Sequence, residues 1–285
     1  MTETCILTLQ CKDRPGLVAA VGTCLASHGG NIVAAEQFND RESRRFFMRT
    51  EFDVPDMETI RLIEKDFGDF ARSAGVQFRI RLKTAPVKVL FLVSKLDHCL
   101  GDLLYRRRIG ELPMDVVGIV GNHPRDSVTI SLSSGIPYHY LPVTRETKPQ
   151  QEAQIRAVVE ETGVELVVLA RYMQVLSDRM TEFLEGRCIN IHHSFLPGFK
   201  GAKPYHQAHA RGVKMIGATA HYVTADLDEG PIIHQDVEPI NHADTPDDLV
   251  RKGRDIERRV LSEAVRLHLE DRVLVSGSKT IVFRN

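Results

Sequence analysis

Ile189-Asn190-Ile191-His192-His193-Ser194-Phe195-Leu196-Pro197-Gly198 is the stretch from which the rest of the chain can be read. Apolar Ile189 and Ile191 alternate with polar Asn190 and His192. A strand has a period of two, so the isoleucines face one way and the amide and imidazole the other. Pro197-Gly198 then breaks regular structure, which leaves the polar pair at the strand's carboxyl end. An amide N–H can stabilise an oxygen that gains charge, and an imidazole titrates near neutrality and moves protons. Further along, Asp226-Leu227-Asp228-Glu229-Gly230 supplies carboxylates. An aspartate in reach can orient the imidazole, raise its pKa or take a proton from a nucleophile. The residues alone leave a plainer alternative open, in which Asn190 and His192 satisfy loop backbone and Asp228 caps a turn before Gly230.

Around this stretch lie other short, almost continuous apolar runs: Val87–Val93, Met114–Val120, Glu165–Ala170 and Cys188–Ile191. Such runs predict strands buried on both faces. Helical patterns separate them, at Asp97–Arg107, from Lys148-Pro149 to Gly163, and near Ser177–Leu184. Strands alternating with helices imply right-handed crossovers and a largely parallel, Rossmann-like sheet with helices on both faces. Lys214–Val223 and Ile232–Val237 add strands. Thr245-Pro246-Asp247-Asp248 opens a helix whose apolar face runs through Leu249, Ile256, Val260, Ala264 and Leu267. Sites in open parallel sheets form outside the carboxyl ends of the strands. Here those ends carry Ser94, Gly121-Asn122-His123, Arg171-Tyr172 and Asn190–His193.

The chain's beginning has a different rhythm. Thr4–Cys11, Asn31–Phe38, Phe46–Val54 and Val76–Leu82 read as strands. One helix starts near Pro15 with Leu17, Val18, Val21 and Leu25 on a face. A second, capped by Asp56, carries Met57, Ile60, Ile63, Phe67, Phe70 and Ala74 and stops at Gly75. The order is βαββαβ, a ferredoxin-like unit. Lys83-Thr84-Ala85-Pro86 is the natural joint, dividing the chain into residues 1–84 and 85–285. Asp13-Arg14-Pro15-Gly16-Leu17-Val18, followed by Gly29-Gly30-Asn31-Ile32, resembles the ACT domain. That resemblance implies a regulatory or oligomerisation module that pairs edge to edge and takes an amino acid near Asp13, Gly16, Leu17 and Asn31. Chemically, Gly16 lets a backbone approach a ligand, and free N–H groups at a helix start favour a carboxylate. A glycine needed only for a tight turn is the alternative.

Composition narrows the function classes. The chain has 285 residues, ample for two domains, with a formal net charge of −1. No electrostatic pull toward nucleic acid or an anionic membrane is expected. No apolar run approaches the ~20 residues of a membrane span, and no secretory signal opens the chain. Cys5, Cys11, Cys24, Cys99 and Cys188 are scattered, without Cys-x-x-Cys spacing, so neither a disulfide framework nor a zinc ribbon is expected. A cytoplasmic protein is the expectation.

Asn190-Ile191-His192-x-Ser194-Phe195-Leu196-Pro197, with a later His221-x-x-x-x-Asp226-x-Asp228-x-Gly230, resembles the folate-dependent formyl transfer family, which includes glycinamide ribonucleotide formyltransferase. The similarity covers roughly Val87 to Asp271. It implies catalytic roles for Asn190, His192 and Asp228. It also implies folate contacts at Arg171, Met173, Gln174, Val175 and Leu176, at His193 and His221, and on the loop with Val223 and Asp226.

Three departures change the reaction that the resemblance implies. The turn Ser94-Lys95-Leu96-Asp97-His98-Cys99-Leu100-Gly101 lacks the paired glycines that cradle a phosphate, and Asp97 would repel one. His193 stands where the transferases usually have proline. An ACT-like domain comes first. Together these features resemble the formyltetrahydrofolate deformylases, and the similarity then extends over essentially the whole chain. The implied reaction is hydrolysis of 10-formyltetrahydrofolate to formate and tetrahydrofolate, supplying formate to one-carbon and purine metabolism. Asp228 coupled to His192 would take the proton of water, and Asn190 with His192 would stabilise the oxyanion. The alternatives are a folate-dependent formyltransferase to an unknown acceptor and an amino-acid-sensing protein with an inactive second domain.

No tightly bound cofactor is implied; folate is the substrate. No metal is expected either, because His192, His193, His206 and His209 lack a Cys or Glu at usual ligand spacing. His221 is expected to face the site. An exposed ACT sheet edge makes a homo-oligomer the expectation.

Overall fold

The structure, a computed structural model, describes residues 2–128, 135–198 and 204–284. It divides into two compact units. One comprises Met1–Ala85 together with Glu270–Ser276 and Ile281–Asn285; the other comprises Pro86–Leu269 and Gly277–Thr280.

The first unit runs β1 (Glu3–Lys12), α1 (Leu17–Ser27), β2 (Asn31–Asp40), β3 (Arg45–Val54), α2 (Met57–Ala74) and β4 (Gln77–Leu82). The four strands form an antiparallel sheet in the order β2-β3-β1-β4. Leu17, Val21 and Leu25 of α1 and Ile60, Ile63 and Phe67 of α2 pack with Cys5, Leu7 and Leu9 of β1 in one core. The helix periodicity and the strand alternation therefore bury the same layer. Asp56 caps α2 by accepting from the Thr59 N–H at 2.8 Å. The helix after Pro15 begins two residues later than the proline, because Gly16 takes a left-handed turn at φ 91. Val18, expected on the buried face, is 44% exposed. Buried Arg49 of β3 donates to the Glu270 carbonyl at 3.1 Å and pairs with Glu36, which also holds Arg272 at 3.1 Å. Arg81 pairs with Asp271.

The second unit begins with β5 (Val87–Val93), α3 (His98–Arg108), β6 (Met114–Gly121) and β7 (Tyr138–Tyr140). It continues with α4 (Lys148–Thr162), β8 (Leu166–Leu169), α5 (Asp178–Phe183), β9 (Cys188–His192) and α6 (Pro204–Arg211). It closes with β10 (Met215–Tyr222), β11 (Ile232–Pro239) and α7 (Pro246–Leu269). A short pair, β12 (Val273–Ser276) and β13 (Lys279–Val282), follows. The seven-stranded sheet has the order β11-β10-β9-β8-β5-β6-β7. It is parallel from β9 to β7, with β10 and β11 antiparallel at one side. Leu90 and Leu92 pack with Ile155 and Val159 of α4. Alternation sends Val89, Phe91 and Val93, also wholly buried, to the opposite face. On α7, Leu249, Ile256, Val260 and Ala264 are fully buried, as the stripe predicts. The short strand β7 carries no apolar run, so nothing in its residues announces it.

Candidate active site

The carboxyl ends of β5, β8 and β9 open into one cavity of about 670 Å³ in the second unit. Its floor is β9. Ile189 and Ile191 are buried, and Asn190, Ile191 and His192 line the cavity. Register with β10 puts His221 opposite Asn190. The His221 Nδ1 lies 2.9 Å from the Tyr222 carbonyl. A carbonyl only accepts, so Nδ1 carries hydrogen and a neutral His221 leaves Nε2 as acceptor for the Asn190 Nδ2–H at 3.3 Å. One amide hydrogen of Asn190 is thus spent on orientation, and the second remains for a reacting oxygen.

His192 is oriented the same way. Its Nδ1 lies 3.1 Å from Asp228 Oδ1 and donates to that carboxylate. Its Nε2 is buried and has no hydrogen-bond partner in the protein. His221 Nε2 stands 3.8 Å from the same carboxylate oxygen. Burial alone would raise the Asp228 carboxyl, but hydrogen bonding led by His192 outweighs it and holds the group well below the usual carboxylate range. His193 goes the other way. Burial, reinforced by the nearby Arg171 cation, pushes it down to about 4, so it is neutral near pH 7.

Backbone geometry brings Asp228 to this place. The connection from β10 to β11 doubles back, with the Tyr222 N–H donating to the Pro231 carbonyl at 2.9 Å. Gly230 sits so tightly on Tyr222 that a Cβ would stand 1.7 Å from its carbonyl oxygen. Asp228 itself takes a left-handed φ of 58. Past β9, Thr219 fixes the turn: its Oγ1 donates to the Ser194 carbonyl and accepts from the Leu196 N–H.

All twelve residues expected at the catalytic centre or the folate line this cavity: Asn190, His192, Asp228, Arg171, Met173, Gln174, Val175, Leu176, His193, His221, Val223 and Asp226. Met173, Val175 and Leu227 are more than half exposed and form an apolar rim. The residues expected at the ACT ligand fall elsewhere, in the first unit. Asp13 accepts from Asn39 at 2.7 Å, Gly16 starts α1, Leu17 is buried in the core and Asn31 is exposed at the start of β2.

Residues 87–265 match the formyl transferase family and residues 6–66 the ACT domain family. A formyltetrahydrofolate deformylase of Corynebacterium sp. (strain P-1) is 48% identical over 98% of both chains. The chain belongs to the formyltetrahydrofolate deformylase family. Among solved structures, the formyltetrahydrofolate deformylase of Burkholderia mallei superposes with a TM-score of 0.94 at 50% identity, covering 99% of this chain and all of that one. Glycinamide ribonucleotide transformylase 1 of Symbiobacterium toebii covers 70% of this chain and 95% of its own, with a TM-score of 0.63 and 30% identity. The deformylase likeness thus spans both units, whereas the transformylase likeness is partial.

Several cavity residues escaped the sequence reading of this deformylase family member, three of them polar neighbours in one wall. Glu257, Tyr205 and His98 line the wall next to Arg171. A signal existed for Glu257, a charged residue beside Ile256 and one turn before Val260 and Leu261, inside the buried face of α7. His98 and Tyr205 had none. Among the described residues, one group of three possible metal ligands comes together, His98, Cys99 and Glu257, and it includes neither His206 nor His209. The donor set does not suit a cation: the Arg171 guanidinium already stands 3.3 Å from Glu257, and burial pushes the Cys99 thiol well up.

Proposed function

We propose that the chain hydrolyses 10-formyltetrahydrofolate to formate and tetrahydrofolate in the cavity at the end of β9. The observation that carries the reading is the buried, unpartnered His192 Nε2, fixed by Asp228 behind it and flanked by Asn190. Hydrolysis needs a base for water, a donor for the oxyanion and an acid for the leaving nitrogen. His192 Nε2 accepts the proton of water as its oxygen attacks the formyl carbon, and ionised Asp228 stabilises the imidazolium. The second amide N–H of Asn190 meets the oxyanion of the tetrahedral intermediate. The imidazolium then protonates N10, the C–N10 bond breaks, and formate and tetrahydrofolate leave. The exposed apolar rim with Met173, Val175 and Leu227 suits a pterin, and no step calls for a cofactor.

The first unit is read as the regulatory and oligomerising part, taking an amino acid beside Gly16 and pairing through β2. Among the described residues, no helix is long and apolar enough to cross a membrane. Five free cysteines and a water-soluble substrate fit a cytoplasmic enzyme.

The test is acceptor-free incubation of the full chain with 10-formyltetrahydrofolate, following formate and tetrahydrofolate together. Equimolar release is expected. Asn190→Ala should lower turnover by about 10²–10³-fold, the usual cost of one oxyanion donor, and Asp228→Ala should abolish it with the fold intact. A folded Asp228→Ala chain near the wild-type rate would sink the mechanism.

A further inference from the structure

The cavity has a second wall that hydrolysis as described does not use. Four side chains from four places meet there: His98 at the start of α3, Arg171 after β8, Tyr205 on α6 and Glu257 within α7. Glu257 is the hub. Its Oε1 accepts from the Tyr205 hydroxyl at 2.8 Å, and its Oε2 accepts from His98 Nε2 at 2.8 Å with Arg171 Nε at 3.3 Å. Burial would neutralise this carboxyl, but His98, Arg171 and Tyr205 together keep it below its ordinary value. The Glu257 side chain is 1% exposed and that of Arg171 8%.

Desolvating such a pair is costly, and apolar side chains of the same volume would serve stability as well or better. The network therefore calls for a role in the site. Gly253, one turn before Glu257, makes room for it: a Cβ there would stand 2.1 Å from Tyr205 Cζ. Through His193 the wall reaches the catalytic centre, since that ring lies 6.1 Å from Tyr205 and 5.2 Å from His192.

We propose that His98, Tyr205 and Glu257, with Arg171, select the nucleophile. They wall the side of the cavity next to the His192–His193 pair with a network in which the Glu257 carboxylate is engaged by Tyr205, His98 and the Arg171 cation. Water still reaches His192, but the body of an amine acceptor meets the His98 and Tyr205 rings, and the Glu257 carboxylate that could hold it is already engaged. The inference rests on the hydrolase reading above. In the excluded reaction the amine nitrogen attacks the formyl carbon, the C–N10 bond breaks, and N10 takes the proton that the amine loses. The products are an N-formylamine and tetrahydrofolate.

The experiment offers the full chain 10-formyltetrahydrofolate with excess glycinamide and quantifies formate, N-formylglycinamide and tetrahydrofolate. Wild type should give formate as its sole one-carbon product. Tyr205→Ala and His98→Ala should divert the formyl group to glycinamide, raising the ratio of formylated amine to formate by about tenfold or more, a 1.36 kcal/mol change in relative barriers. Tyr205→Phe keeps the ring's volume and should stay with water. Retained tetrahydrofolate release shows that the variants are folded. Formate alone from both alanine variants would overturn the wall, as would transfer to glycinamide by wild type. No formate from wild type, even without amine, would overturn the hydrolase reading itself and the wall with it.

Discussion

At the scale of single residues, the site is a matter of which nitrogen carries hydrogen. Two carbonyl-type oxygens, Tyr222 O and Asp228 Oδ1, fix the tautomers of His221 and His192. Each histidine is thereby left with a defined Nε2, one turned to Asn190 and one without a protein partner. His193 adds a consequence for stability. Its pKa falls from 6.5 to about 4 on folding, so between those values the unfolded chain binds the extra proton. Its contribution is fully present above pH 6.5 and is lost as pH falls toward 4. The size is roughly 3 kcal/mol. Arg171, Glu257, His192 and Asp228 are the charged and titratable groups that face it. Denaturant unfolding at several pH values should therefore show a shallower acid loss for His193→Gln than for wild type. Equal slopes would mean that His193 is not held neutral by folding.

At the scale of elements, β2 stands apart. It is the outer strand of the first unit's sheet, and almost every residue along it is exposed. Alternation normally hides one face of a strand under helices, yet Ile32, Val33 and Phe38 all stand more than 40% exposed. An unpaired edge with apolar side chains is a template for another strand. If β2 pairs with a second copy, Val33→Lys should lower the solution mass measured by light scattering, while 10-formyltetrahydrofolate hydrolysis persists. An unchanged mass would move the interface elsewhere. In the second unit the decisive element is the turn from β10 to β11. It makes Asp228 a neighbour of His192 because Gly230 lies directly on the Tyr222 carbonyl.

Across the whole molecule, the chain's end returns to its beginning. Glu270–Ser276 and Ile281–Asn285 belong to the same compact unit as Met1–Ala85. Arg49 is 2% exposed and uses the Glu270 carbonyl, Arg81 uses Asp271, and Glu36 uses Arg272. Ending the chain at Leu269 removes all three partners and leaves buried charge short of them. The loss should be about 3 kcal/mol, read as faster amide hydrogen exchange in β1 and β3. Unchanged protection there would show that the ion pairs are dispensable. Amino-acid binding is accordingly tested on the full chain.

Much of this was legible from the residues in order. Apolar runs and helical stripes marked nearly every strand and helix, because hydrophobic period is a local property and the core obeys it. The motif at Asn190–Gly198 with Asp226–Gly230 announced the site, since its polar residues break an apolar pattern at a strand's end. β7 was missed for want of a run, β12 and β13 were not read either, and Glu257 passed unremarked inside the helix opened by Thr245-Pro246. What the sequence by itself determined was the order of the elements other than β7, β12 and β13, and the family, whose resemblance named twelve residues that line one cavity. Only the tertiary structure decided which hydrogen each histidine carries, the meeting of His98, Tyr205 and Glu257, and the return of Glu270–Ser276 to the first unit. Those depend on distances between residues far apart in the chain, and no local period encodes them.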